Sequence, residues 1–198
     1  ADNEVWRTLF FLTGTNGGVR VLFLYLNHNN CIMRNIGIFY GSSTGTTATI
    51  AHKIAKQLDV PEEDIHNVAE EAPSSVQPYD VLVFGTSTWG NGDVQVDWID
   101  FLKGLEVMDL SKKKIALFGC GDETMTDTFC NGVGIIYDAL RESGADFIAP
   151  YDTVGYEFHH TSADMGGMTV GLLLDEVNHP EATDLRLRGW VTKVKEAI

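Results

Sequence analysis

The stretch Phe39-Tyr40-Gly41-Ser42-Ser43-Thr44-Gly45-Thr46-Thr47 decides the fold. Before it lies an apolar run, Ile36 to Tyr40, that reads as a buried strand. After it, Thr47 to Leu58 places Ile50, Ala51, Ile54, Ala55 and Leu58 on one face of a helix. Five of the six residues Ser42–Thr47 are Ser or Thr. A strand that turns through small hydroxyl residues into a helix N-terminus leaves backbone N–H groups free. It also aims the positive end of the helix dipole at the turn and adds hydroxyl donors, a combination that suits a phosphate. The turn contains no Lys or Arg. An NTPase loop needs Gly-Lys-Ser/Thr at the helix start, and a dinucleotide loop needs G-x-G-x-x-G, so S-S-T-G-T-T excludes both. Taken alone, the stretch could also be a helix cap with no ligand.

Outward from this loop, strand-like and helix-like segments alternate. Asp64–Val68 is a weaker strand after Val60-Pro61-Glu62-Glu63, and Val81-Leu82-Val83-Phe84-Gly85 is a buried one. Val96 to Leu102 predicts a short helix, Lys114 to Gly119 a strand, Phe129 to Ser143 a helix, and Phe147-Ile148-Ala149 the start of a last strand. Glu181 to Ala197 predicts an amphipathic closing helix, with Leu185, Leu187, Trp190, Val191 and Val194 apolar. This alternation predicts an α/β fold, a doubly wound parallel sheet of five strands with helices on both faces.

The 198 residues suffice for one domain with a sizeable core. The net charge of −14 is unevenly placed, because Asp2, Glu4, Arg7 and Arg20 cancel within residues 1–32 and leave the whole excess on 33–198. Such a surface argues against nucleic acid and anionic membranes and suits docking to basic protein surfaces. Cys31, Cys120 and Cys130 form neither an even framework nor a C-x-x-C pair, which reads as reduced thiols in a cytoplasm. No apolar run approaches the length of a membrane span.

Residues 1–32 do not fit the alternation. Val5 to Leu12 and Val19 to Leu26 are β-prone runs separated by Thr13-Gly14-Thr15-Asn16-Gly17-Gly18, a composition that predicts a hairpin. Its acidic start and split apolar runs argue against a secretory signal. We expect Met33 to be the natural start, with 1–32 an extension from an upstream start or of non-native origin, and 33–198 the ligand-binding domain.

Two further strand ends are rich in small residues. Gly85-Thr86-Ser87-Thr88-Trp89-Gly90-Asn91-Gly92-Asp93 puts a Trp at a loop tip, where it can cover a flat ring or simply pack on the sheet edge. Gly119-Cys120-Gly121-Asp122-Glu123-Thr124-Met125-Thr126-Asp127-Thr128-Phe129 offers glycines for close backbone approach, although Asp122 could only cap a turn. His159-His160 reads as surface loop, since adjacent residues rarely share a metal.

The three loops together resemble those of the flavodoxins. S-S-T-G-T-T is similar to the family's T/S-x-T-G-x-T, and Thr-Trp-Gly and Gly-x-Gly-Asp follow the third and fourth strands as they do in the family. The resemblance runs from about Met33 to the C-terminus. Val96-Asp97-Trp98 and Phe129-Cys130 to Tyr137-Asp138 look like the family's following helices. Asp152 to Phe158 through Gly171 to Glu176 resembles the insertion that splits the last strand in the long-chain subgroup, and Gly189-Trp190-Val191 resembles that subgroup's final helix.

The resemblance implies the flavodoxin strand order 2-1-3-4-5 and one non-covalent FMN. It also implies a low-potential, one-electron carrier between redox enzymes that is not itself an enzyme. In such sheets ligands sit beyond the strand C-termini at the switch point, a rule for which flavodoxin and its FMN are a standing example. Ser42, Ser43, Thr44, Gly45, Thr46 and Thr47 would hold the phosphate. Thr86, Ser87, Thr88, Trp89, Gly90, Asn91 and Gly92 would form the second loop, with Thr88 and Trp89 on the inner flavin side. Gly90 stands where a peptide flip would favour the neutral semiquinone. Cys120, Gly121 and Asp122 would meet the pyrimidine edge, and Met125 and Phe129 complete the set. An anionic reduced flavin buried in a −14 protein is disfavoured, which accounts for a low potential. The implied partners are a reductase donor and an oxidoreductase acceptor with basic docking surfaces. A cytoplasmic monomer without nucleic acid, membrane or metal is expected.

Two positions depart from the pattern. The family usually stacks a Tyr on the outer flavin face, whereas here the nearest residue by position is Met125. Long-chain relatives often carry an acidic residue where this chain has Val154. The alternative function is a flavodoxin-like NAD(P)H-dependent quinone or flavin reductase, although nothing in the sequence marks a nicotinamide site. A phosphoacceptor domain needs an Asp at the end of the first strand, which Tyr40-Gly41-Ser42 does not supply. A flavin-storage module is the third alternative.

Overall fold

The computed structural model describes residues 35–198 throughout. Ahead of them it describes four short strands, β1 (Arg7–Leu9), β2 (Leu12–Thr13), β3 (Arg20–Val21) and β4 (Leu24–Leu26). The chain divides into two compact units, residues 1–33 and 34–198. In the first, β1 runs antiparallel to β4 with Arg7 opposite Leu26, and β2 antiparallel to β3 with Leu12 opposite Val21, as in a hairpin. Residues 14–18 of the expected turn, Cys31 and Met33 lie outside the described residues.

The second unit runs β5 (Ile36–Tyr40), α1 (Thr46–Leu58), β6 (Ile65–Asn67), β7 (Val81–Trp89), β8 (Asp93–Val94), α2 (Trp98–Glu106), β9 (Lys114–Cys120), α3 (Asn131–Leu140), β10 (Asp146–Ile148), β11 (Leu172–Leu174) and α4 (Pro180–Ala197). Strands β6, β5, β7 and β9 lie side by side and parallel. Beyond β9 the fifth strand is split. β10 pairs with Lys114–Ala116 and β11 with Phe118–Cys120, so residues 149–171 are an insertion between two halves of one strand. The order is therefore 2-1-3-4-5, as expected.

Both faces of the sheet are covered, and period-2 alternation assigns each side chain to one layer. Leu82 and Phe84 of β7 pack with Trp98, Phe101 and Leu105 of α2 and Val133 and Ile136 of α3. Val81 and Val83 pack with Ile50 and Ile54 of α1 and Leu187, Trp190 and Val194 of α4. All four of these β7 residues are fully buried, and each such side chain contributes about 1.5–3 kcal/mol relative to exposure.

The expected elements are all present, with shifted ends. β7 continues past Gly85 to Trp89 because its end folds back against β8. α2 starts at Trp98 rather than Val96, since Gln95 Oε1 accepts from Asp97 N at 3.1 Å and holds a turn there. α3 starts at Asn131 because Cys130 has φ 51, which a helix cannot include. In α4, Leu185 faces solvent, and the buried position beside it belongs to Arg186.

Candidate functional site

Three loops leave the C-terminal ends of β5, β7 and β9, and side chains stitch them together. Gln95, fully buried, donates from Nε2 to Ser43 Oγ at 3.3 Å, joining the first loop to the second. Thr88 Oγ1 accepts from Gly132 N at 3.0 Å, joining the second to the start of α3. Trp98 Nε1 donates to Gly85 O at 2.9 Å beneath them.

In the first loop, Gly45 adopts φ 91 and caps α1, and its N–H donates to Ser42 Oγ at 3.1 Å. The N–H groups of Ser43, Thr44, Thr46, Thr47 and Ala48 donate to no described residue. The Thr44 and Thr46 hydroxyls lie 3.4 Å apart. Thr47 Oγ1 is buried with no oxygen or nitrogen partner, and the polar group it faces is the Cys120 thiol, a weak partner. Five free amides and the loop's hydroxyls around a helix N-terminus fit a phosphate that needs no cationic side chain.

The second loop is a hairpin turn. Gly92 N donates to Trp89 O at 3.0 Å, Gly90 has φ 54 and Asn91 a negative φ, the pattern of a type II′ turn. Gly serves at the first central position because an L side chain is strained there. The turn leaves Trp89 44% exposed, with its indole N–H donating to Ser87 Oγ at 2.8 Å. Beside it opens a cavity of about 650 Å³ lined by Ser43, Trp89, Asp93, Val94, Val96, Ile99 and Ile135.

In the third loop, Gly121 N donates to Leu174 O at 3.0 Å, while the Asp122 N–H meets no described acceptor. The Asp122 carboxylate turns inward, accepting from Thr124 N at 2.9 Å, from the Thr124 hydroxyl at 2.6 Å and from Asn178 Nδ2 at 2.9 Å. Chiefly the Thr124 hydroxyl holds it below the usual carboxylate range. Asp122 can therefore offer a ligand its backbone rather than its charge. Met125 is half-exposed. Burial pushes the Cys120 thiol up to about 12, and burial likewise raises the Cys130 thiol well above its ordinary value. Neither is a thiolate nucleophile.

Most of the expected site residues therefore gather at this end of the sheet, but the side chains of Thr86 and Phe129 turn away from it and Gly92 is buried. Thr86 is fully buried, and its hydroxyl donates to Ser87 O at 2.9 Å and accepts from Gln95 N at 3.3 Å. Gly92 is buried against Thr128 and Asn131. Phe129 is fully buried, with Tyr156 and Phe158 centroids 5.2 and 4.9 Å away, so its ring is core and cannot touch a ligand. Val154 is 80% exposed. His159 and His160 lie exposed in the insertion, each N–H bound to Thr126 O. Among the described residues no group of three His, Cys, Asp or Glu could hold a metal ion, and no helix is long and apolar enough to cross a membrane.

Sequence reasoning missed Gln95, Asn178 and His179. Gln95 stands between two valines, and a strand with both valines inward would put it in solvent. Instead Val94 is buried, Val96 exposed and Gln95 the deepest of the three.

A sequence model of the flavodoxin family matches residues 38–190. Flavodoxin 1 of Shigella flexneri is 41% identical over 165 residues, spanning 82% of this chain and 93% of that protein. The flavodoxin of Haemophilus influenzae is 38% identical over 168 residues, spanning 84% and 97% respectively. The crystal structure of Fusobacterium nucleatum flavodoxin bound to flavin mononucleotide superposes with TM-score 0.77 at 31% identity, covering 84% of this chain and 99% of that one. With the family model matching residues 38–190 and a relative 41% identical over 82% of the chain, the chain belongs to the flavodoxin family.

Proposed function

We infer that this protein carries single electrons between redox enzymes on a non-covalently bound FMN. The observation that carries the reading is the cation-free cradle at the start of α1, where five N–H groups donate to no described residue. Family membership and the FMN-bound Fusobacterium structure support it. FMN supplies one-electron redox chemistry when bound, and the protein supplies position and electrostatics.

Each loop has its own part. Ser42 to Thr47 bind the phosphate by backbone amides and hydroxyls. Trp89, with its indole fixed by Ser87, covers one face of the flavin, and Thr88 holds that loop to α3. Gly90 leaves the peptide beside the ring free to turn over, because its φ of 54 is unstrained for glycine. The N–H of Asp122 and the backbone of Cys120 and Gly121 receive the pyrimidine edge. Met125 lies against the outer face. The split fifth strand and its insertion at 149–171 support placement in the long-chain subgroup.

Redox partners dock, in this reading, over the half-exposed Trp89 and the neighbouring Val96 and Ile99, with Asp93 and the acidic surface meeting basic groups. A cytoplasmic location is part of the same proposal and rests on the free thiols of Cys120 and Cys130.

The test is an absorption spectrum of the protein with FMN through stepwise dithionite reduction. Bound flavin reduced in two separate one-electron steps is the expected result. Reduction in a single two-electron step, with steady NADPH oxidation by the protein alone, replaces the carrier with a reductase. Failure to take up FMN removes the cofactor from the reading.

A further inference from the structure

One cluster lies outside the three loops' own contacts. The turn between β11 and α4, residues 175–179, is bonded to the third loop through Asp175, Asn178 and His179. Glu123 N donates to the fully buried Asp175 Oδ2 at 2.9 Å. Asn178 Nδ2 bridges Asp175 Oδ2 at 2.7 Å and Asp122 Oδ1 at 2.9 Å. His179 Nε2 lies 2.6 Å from Glu123 Oε1. The other oxygen of Glu123 accepts from Glu157 N at 2.9 Å, so one carboxylate ties the loop to α4 and to the insertion at once.

The groups facing His179 are few and mostly anionic. Glu123 comes from the third loop, and Glu181 of α4 places Oε1 3.4 Å from Nδ1. Asp175, at the end of β11, accepts the His179 N–H through its backbone carbonyl at 3.2 Å. Tyr156 of the insertion lies 5.7 Å away ring to ring, and burial pushes its phenol up to about 12, so it stays neutral. Arg186 of α4 sits 4.6 Å over that Tyr ring and is held by the Asp152 and Val154 carbonyls. With carboxylates at both ring nitrogens, only the imidazolium donates to both.

We propose that His179 and Glu123 are positioning residues that make the third loop's grip on the flavin proton-linked, closed while His179 is charged and loosened when it is neutral. The proposal rests on the reading that Cys120, Gly121 and Asp122 receive the flavin edge. The hydrogen bond that His179 donates to Glu123, more than Glu181, raises the imidazole above its ordinary value against a smaller opposing effect of desolvation. The sign follows from a raised value in the folded state. The contribution is complete below the unfolded imidazole's range and is lost as pH rises through the folded one. Above that range Glu123 and Glu181 flank an uncharged ring, and the charge-assisted tie between Glu123 and His179 weakens, while the Asp175 and Asn178 bonds to the loop remain.

The experiment follows the backbone amides of Gly121–Thr124 and the His179 ring by NMR between pH 5 and 9 in the full chain without flavin. FMN affinity is then measured over the same range in wild type, His179→Gln and Glu123→Gln. The loop amides should shift with the His179 titration in wild type and stay flat in both variants. The FMN dissociation constant should rise roughly two- to fivefold through that titration in wild type, the scale of a partly exposed ion pair. The FMN phosphate titrates near pH 6 in every sample, so the difference between wild type and variant isolates the protein's part. Loop amides indifferent to His179 overturn the clamp. Amides that follow His179 while FMN affinity does not differ from the variants overturn the link to the flavin. If no FMN binds at any pH, the flavin reading has failed, and the amides of the unliganded chain still decide the clamp.

Discussion

Met125 is half-exposed in the loop after β9, and the proposed reading lays it against the outer face of the flavin in place of the Tyr that the resemblance implies. A thioether covers less of a flat ring than a phenol does. Met125→Tyr should tighten FMN binding by about 0.5–1.5 kcal/mol, roughly two- to tenfold in Kd, read by fluorescence quenching of FMN. An unchanged or weaker Kd would mean that the third loop does not reach the outer face. At this scale the sequence revealed residue types better than directions. Ser42 to Thr47 and Trp89 are legible as donors and a loop-tip ring, because strand-turn-helix chemistry leaves them little choice. Phe129 was not, since an aromatic two residues before a helix can turn either way. What decides it is the insertion, whose Tyr156 and Phe158 fold over it from across the chain. Gln95 and His179 gave no local signal, because both act through partners distant in sequence, Ser43 and Glu123.

Among the elements, the strands of the sheet were the most legible. Ile36–Tyr40 reads the same in sequence and structure because both faces are buried and the run is apolar throughout. α4 was less so. Its apolar positions predict a face containing Leu185, yet that face closes with Arg186, whose guanidinium donates to the Asp152 and Val154 carbonyls and lies over Tyr151 and Tyr156. A buried Arg is unexpected until the insertion supplies carbonyls and aromatic faces for it. Arg186→Met keeps the volume but removes the donors, and it should lower stability by about 1–3 kcal/mol in chemical denaturation. Faster hydrogen exchange should be confined to residues 149–171. Uniform acceleration across the sheet, or none, would show that Arg186 does not fasten the insertion.

At the scale of the whole molecule, charge dominates. The −14 surplus lies entirely on residues 33–198. Electron transfer to a basic partner should slow about tenfold or more between low salt and half-molar NaCl in stopped-flow measurements, as screening removes steering. A rate that is flat or rises with salt would remove charge from the docking argument. The negative surplus has another effect, on encounters between two copies of the protein. Each copy carries the same −14 surplus, so two molecules repel one another over about a Debye length as they approach. Reduced and oxidised copies should therefore exchange electrons with one another more slowly at low salt than at high salt, a rate that NMR line broadening of a half-reduced sample reads. A population of carriers behaves as separate couriers rather than as a conducting pool, and each electron stays with the molecule that was loaded until a basic partner collects it.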